Sequence, residues 1–419
     1  MRKLLSILLV LVLMAMVLPG YAFASGEKKT ITMASQKWNE SGTGDFLRLK
    51  YKEFCEANPE YEFEEVYYAT GELVTQMLLA FAAGTPPDII EWTRSKVGSV
   101  ISSGDIAPLN DYVSPDLIAR FENGAFGTVQ QTAPLFTDGV YNGVSYQQSS
   151  FQLMCNTLMF EEAGLSLPTT YQEFFDACVA LTDAPNKYGY AFCTQETATR
   201  IYEQFCFWAY GFDANFLADG EINVNTPEII NAMTEWKKLF DATVTPIGME
   251  KNAYRSLFGQ GGVGMIIDGP WVYASAQSEE NNVAKSIQVV PTCFPTGISI
   301  GDGSTLIIPK DAKNKEGAGK FIEFILSHEN QELWCDMTSS ICGDNTATTK
   351  FVENNKWFSG YADASAKGLV KGLYPVNHPD DYEEIEKIVT NYLQQIWFNN
   401  ADPAAAMASC QQELDALLV

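Results

Sequence analysis

The stretch Glu72-Leu-Val-Thr-Gln-Met-Leu-Leu-Ala-Phe-Ala-Ala-Gly-Thr-Pro-Pro-Asp-Ile-Ile-Glu-Trp92 decides the fold class. As far as Ala83 it reads as a helix. Gly84 suits the residue that closes a helix, and Pro86-Pro87 cannot continue one. Asp88 to Trp92 then reads as a short strand. Towards the N-terminus, Tyr61 to Tyr67 is another strand, Phe46 to Asn58 has helical spacing through Phe46, Leu49 and Phe54, and Thr30 to Ala34 alternates as a strand. Strand, helix, strand, helix, strand is the signature of a parallel α/β sheet.

The pattern recurs towards the C-terminus. Thr170-Tyr-Gln-Glu173 is a capping box opening a helix through Leu181, and Thr226-Pro227 opens another with Ile229, Met233, Trp236 and Phe240 on one face. Strands are expected at Val263 to Ile267, Ser286 to Val290 and Thr305 to Ile308. Glu316 to Leu333 reads as one long helix, followed by helices over Tyr382 to Trp397 and Pro403 to Leu418. A chain of this length exceeds what one hydrophobic core supports, so two α/β lobes are expected.

The first 24 residues read as a secretory leader. Arg2 and Lys3 precede an apolar run from Leu4 to Leu18, Pro19-Gly20 break it, and Ala22-Phe23-Ala24 offers a cleavage site before Ser25. The first cysteine is Cys55, so an N-terminal lipidated cysteine is not expected after cleavage, and the mature chain is expected to act outside the cytoplasmic membrane. The net charge of −25 opposes binding to nucleic acid or anionic lipid. Nine cysteines include no C-x-x-C pair, and only His328 and His378 are present, so neither a zinc site nor any other metal or cofactor is expected. Cys335 and Cys342 are the disulfide candidates nearest in sequence.

Several segments are similar to a known family. They are Gln76 to Trp92, Gly104-Asp-Ile-Ala-Pro-Leu109, Tyr141-Asn-Gly-Val-Ser-Tyr146 with Leu153-Met-Cys-Asn156, Leu167-Pro-Thr-Thr-Tyr-Gln-Glu-Phe174, and Phe258-Gly-Gln-Gly-Gly-Val-Gly-Met-Ile-Ile-Asp-Gly-Pro-Trp271. In this order they resemble the sugar-binding, maltose-binding-protein-like family of solute-binding proteins of ABC importers. Cys155 and Ser145 depart from the tyrosine and lysine usual in that family. The resemblance implies a two-lobe periplasmic-binding-protein fold (type II), each lobe a mainly parallel sheet flanked by helices. It places the N-terminal lobe at 25–148 plus 305–339 and the C-terminal lobe at 149–304 plus 340–419. Hinges are expected near Gln148–Ser150, Gly301–Ser304 and Ser340–Asn345. It further implies a monomer that binds a carbohydrate between the lobes and delivers it to permease subunits in the membrane.

The residues offer a site for that task. Trp38, Trp92 and Trp271 each follow or end an expected strand, and an aromatic plane buries the C–H face of a sugar while leaving its hydroxyls accessible. Asp268 has acceptor capacity for hydroxyl groups. Arg94 offers donors, Ser149, Asp302 and Gly303 sit at the expected crossings, and Tyr374 is a candidate from the C-terminal lobe. Gln148, Ser150, Glu196, Arg200, Tyr202, His378 and Tyr382 form an outer set. Two rivals remain open: a binding protein for a polyamine, peptide or metal chelate, and an exported glycoside hydrolase, which needs two carboxyls at a defined separation. Acyl-transfer chemistry has no supporting G-x-S-x-G, and Gly259-x-Gly-Gly-x-Gly264 precedes its strand where a dinucleotide loop would follow one.

Overall fold

A computed structural model describes residues 27–69, 72–93, 97–122, 136–137, 139–195, 198–278, 283–367, 369–373, 378 and 380–418. The leader, Arg94, Glu196 and Tyr374 lie outside the described residues. The strands are β1 (Lys29–Ser35), β2 (Tyr61–Tyr67), β3 (Ile89–Thr93), the short pair β4 (Phe136–Thr137) and β5 (Val140–Tyr141), β6 (Val144–Ser150), β7 (Gln152–Asn156), β8 (Tyr188–Ala191), β9 (Val263–Asp268), β10 (Ile287–Val290), β11 (Ser299–Ile307), β12 (Ile341–Cys342) and β13 (Val370–Lys371).

These strands build two α/β lobes. One sheet has seven strands in the order β12-β6-β11-β3-β1-β2, with β13 added on β11; the other has the order β10-β7-β9-β8. β1 pairs in parallel with β2 from Lys29 opposite Tyr61 to Ser35 opposite Tyr67, and in parallel with β3. The helices Thr43–Ala57 and Leu73–Ala82 connect these strands, as the opening stretch requires.

The sheets are mixed, where mainly parallel ones were expected. β11 runs antiparallel to both β3 and β6, and β7 runs antiparallel to β9 and β10. The reason is the crossing between lobes. β6 carries the chain out of the seven-stranded sheet, and only Phe151 separates it from β7 in the second sheet. Phe151 holds the junction by donating its N–H to the Ile300 carbonyl at 3.0 Å. β11 brings the chain back beside its outgoing partner, and a strand returning beside an outgoing one runs antiparallel to it.

One helix expectation fails. The segment Glu316 to Leu333 is two helices, Lys315–Ile325 and His328–Thr338. Ser327 breaks it by acting as a cap, its Oγ accepting the Asn330 N–H at 3.4 Å. Aromatic residues fill both cores. Phe63 and Phe54 meet Phe321 beneath the first sheet at 4.7 and 5.4 Å, while Trp208 and Trp236 stack at 5.3 Å in the second lobe, with Trp397 4.7 Å from Trp236. All nine cysteines are free thiols. Cys335 and Cys342 are both buried and unbridged, contrary to the sequence candidate. Among the described residues, no helix is long and apolar enough to cross a membrane.

Candidate functional site

The carboxyl ends of β1, β3 and β9 and the crossing strands meet at one cleft between the lobes. A recess of about 90 Å³ is lined on the first lobe by Gln36, Lys37, Glu40, Thr93, Gln147, Gly303 and Ser304. Phe151, Glu203, Lys251, Arg255 and Trp271 form the opposite wall. It adjoins a wider recess of about 340 Å³ that shares Gln36, Glu40, Lys251, Arg255 and Trp271 and adds Tyr67 and Asn252. This is the position expected for ligands in α/β sheets, beyond strand carboxyl ends.

Asp268 ends β9 as a buried carboxylate with no capacity to spare. Its Oδ1 accepts from Arg255 Nη2 (2.7 Å), the Gly269 N–H (2.7 Å) and Trp271 Nε1 (2.9 Å). Its Oδ2 accepts from Arg200 Nη2 (2.9 Å), the Tyr254 hydroxyl (2.6 Å) and Arg255 Nε (2.8 Å). Burial pushes this carboxyl up, but Arg200 and Arg255 outweigh it and hold it well below the usual carboxylate range. The expectation that Asp268 accepts ligand hydroxyls is corrected accordingly: it positions Trp271 and the two arginines.

Trp271 opens the helix Trp271–Ser278 and is partly buried at the cleft wall. The Phe151 ring meets it edge-on at 5.6 Å, and the Arg255 guanidinium lies 5.5 Å from its ring centre. Arg200 lies 4.7 Å from the centre of Phe151, so both rings rest on the cations that Asp268 gathers. Gly269 completes the seat. A Cβ there would fall 2.3 Å from the Trp271 ring, so the indole occupies the space a side chain would need. Replacing Gly269 with alanine is therefore expected to displace the indole, quenching or shifting its fluorescence, while the unfolding midpoint changes little. An unchanged emission spectrum would refute this seating.

The other tryptophans are corrections. Trp38 is fully buried; its Nε1 donates to the Met33 carbonyl at 3.1 Å and its ring packs edge-on against Tyr51 and Phe63. Strand alternation explains Trp92. It shares a face with Ile90 and joins the cluster with Leu73 and Met77, while the next residue, Thr93, reaches the cleft. Ser149 and Asp302 stand opposite each other where β6 pairs β11, and Gly303 pairs Gln148 and lines the cleft. In the outer set, Ser150, Tyr202 and Tyr382 are buried, and His378 lies 2.8 Å from Glu221.

Sequence reading missed much of the polar lining. Lys37 Nζ is held by Gln147 Oε1, Ser304 Oγ and, at 3.4 Å, by Glu91, whose other oxygen accepts from Ser35 at 2.7 Å. Arg200 pairs with Glu203 at 2.8 Å. The available signals were the polar run just after β1 and the i, i+4 spacing of Lys251 and Arg255 on the helix before β9. Among the described residues, the cleft lining carries both signs, Lys37, Lys251 and Arg255 with Glu40 and Glu203, and Glu91, Arg200 and Asp268 pair with lining residues from behind.

Known proteins agree with this architecture. A putative binding protein of Brucella abortus is 24% identical over 389 residues, 90% of each chain. The maltotriose-binding protein of Pyrococcus abyssi is 21% identical over 72% of this chain and 63% of its own length. Among solved structures, a Thermotoga lettingae ABC-transporter solute-binding protein bound to α-D-tagatose superposes with a TM-score of 0.80, at 20% identity and covering 94% of this chain and 100% of that one. The acarbose-binding GacH receptor of Streptomyces glaucescens also reaches 0.80, at 17% identity over 94% of this chain and 99% of its own. Residues 51–389 match the family model for bacterial extracellular solute-binding proteins, and the chain belongs to that family.

Proposed function

We propose that this chain captures a neutral carbohydrate or polyol in the inter-lobe cleft and delivers it, as an exported monomer, to the permease of an ABC importer. The carrying observation is the seated indole of Trp271 in a cleft whose lining carries both signs of charge, although the whole chain carries −25. A cationic ligand such as a polyamine would meet Lys251 and Arg255 there, and an anionic one would meet Glu40 and Glu203. A neutral ring with hydroxyls satisfies both signs. The relatives named for maltotriose and the structures holding tagatose and acarbose support this class. The lobe built on the seven-stranded sheet would close against the lobe built on the four-stranded sheet about the strand crossings, burying the ligand.

A melting screen of the protein lacking residues 1–24 tests this. Maltotriose, D-tagatose, ribitol, putrescine, a tripeptide and a metal chelate are compared. Any sugar or polyol present at 100 times its Kd should add about 2.7 kcal/mol of stability. If only putrescine, the peptide or the chelate shifts the melt, the carbohydrate reading is wrong. Reducing ends released from maltotriose would replace it with a hydrolase.

A further inference from the structure

Nearly every charge at the cleft is already paired. Lys37 is held by Glu91, Arg255 by Asp268, and Arg200 by Asp268 and Glu203. Among the described residues two side chains stand apart: Glu40 on the turn after β1, and Lys251 at the start of the helix Lys251–Gly259. Among the described residues, neither side chain has a hydrogen bond or an ion pair, and they belong to opposite lobes. Both line the narrow recess and the wide one, so they sit where the two communicate, beside Trp271.

Resting on the carbohydrate reading above, we propose that Glu40 and Lys251 are the specificity-determining pair that holds the ligand's hydroxyl groups across the cleft. An alcohol can donate its proton to a carboxylate and accept from an ammonium, so neighbouring hydroxyls serve both groups at once. Neither charged class of ligand can do so. An anion finds Lys251 but faces Glu40, and a cation finds Glu40 but faces Lys251. Burial and the nearby Arg255 push Lys251 below the usual lysine range, against Glu40 and Glu203. Its surroundings therefore disfavour an unpaired ammonium and reward a ligand oxygen that accepts from it. Closing the cleft strengthens both contacts by excluding water.

Glu40→Gln and Lys251→Met test the pair, using calorimetric titration with maltotriose, D-tagatose and ribitol, and with D-glucuronate and D-glucosamine as charged probes. Each variant should lose about ten- to hundred-fold affinity for the neutral probe that wild type binds, the range for one hydrogen bond to a charged group. Glu40→Gln should shift preference towards glucuronate, and Lys251→Met towards glucosamine. Unliganded melting temperatures should stay near wild type. Unchanged affinity in both variants while wild type binds a neutral probe overturns the pair and leaves the carbohydrate reading intact. Equal losses for neutral and charged probes overturn it in favour of a simple ion pair between lobes. Wild-type protein that binds none of these probes overturns the carbohydrate reading, and the pair with it.

Discussion

Replacing Asp268 with alanine is expected to destabilise the protein by about 3–5 kcal/mol, the range for leaving a buried charge without its partner. Arg200 and Arg255 would be stranded together, their side chains only 3% and 12% exposed. The Tyr254 hydroxyl and the indole N–H would lose their acceptor as well. Urea unfolding followed by tryptophan fluorescence measures the change. A loss below about 1 kcal/mol, the scale of an exposed ion pair, would show that the cluster contributes little. The same carboxylate also predicts a pH dependence. Its folded pKa lies below its unfolded value, so its contribution is complete above about pH 4, the ordinary aspartate pKa, and fades as pH falls towards the folded value. Asp268→Asn should remove that acid-sensitive component. An Asn variant with the wild-type acid dependence would assign it to another group.

The architecture was legible because it depends on local signals that agree with one another. Gly84 and Pro86-Pro87 punctuate the opening stretch, and the expected strand at Tyr61–Tyr67 is present residue for residue. The capping box at Thr170 and Glu173 forms with both contacts in place. What sequence could not supply was side-chain direction at the strand ends. Trp38 and Trp92 lie beside the cleft in sequence, yet one bonds Met33 in the core and the other falls on the wrong side of a two-residue alternation. Their neighbours Lys37 and Thr93 face the cleft instead. Asp268 illustrates a second limit. A carboxylate at a strand end looks free to bind ligand until the fold brings Arg200, Tyr254 and Arg255 around it from two other helices. The Glu316–Leu333 helix failed for a smaller reason: apolar spacing continued across Ser327, but the serine capped a new helix.

Trp271→Ala is expected to reduce ligand affinity by about 30- to 700-fold, corresponding to about 2–4 kcal/mol for loss of a buried aromatic anchor. The ring reaches both recesses, and its plane is fixed at three points: Asp268 holds the N–H, Gly269 leaves room for the ring, and Phe151 abuts it edge-on. A ring held this firmly loses little entropy when a sugar packs against it, so its contact area passes largely into affinity. The fold should tolerate the change far better, since the side chain is only partly buried. Trp38→Ala supplies the opposite case. That indole is wholly buried, so truncation should cost about 3–5 kcal/mol of stability while leaving affinity within about two-fold. Measuring the Kd and the urea midpoint for both variants separates the two roles. If Trp271→Ala binds as tightly as wild type, or if Trp38→Ala loses affinity at unchanged stability, the assignment of these tryptophans is reversed. The cleft would then have to draw its aromatic surface from Phe151 or Tyr67.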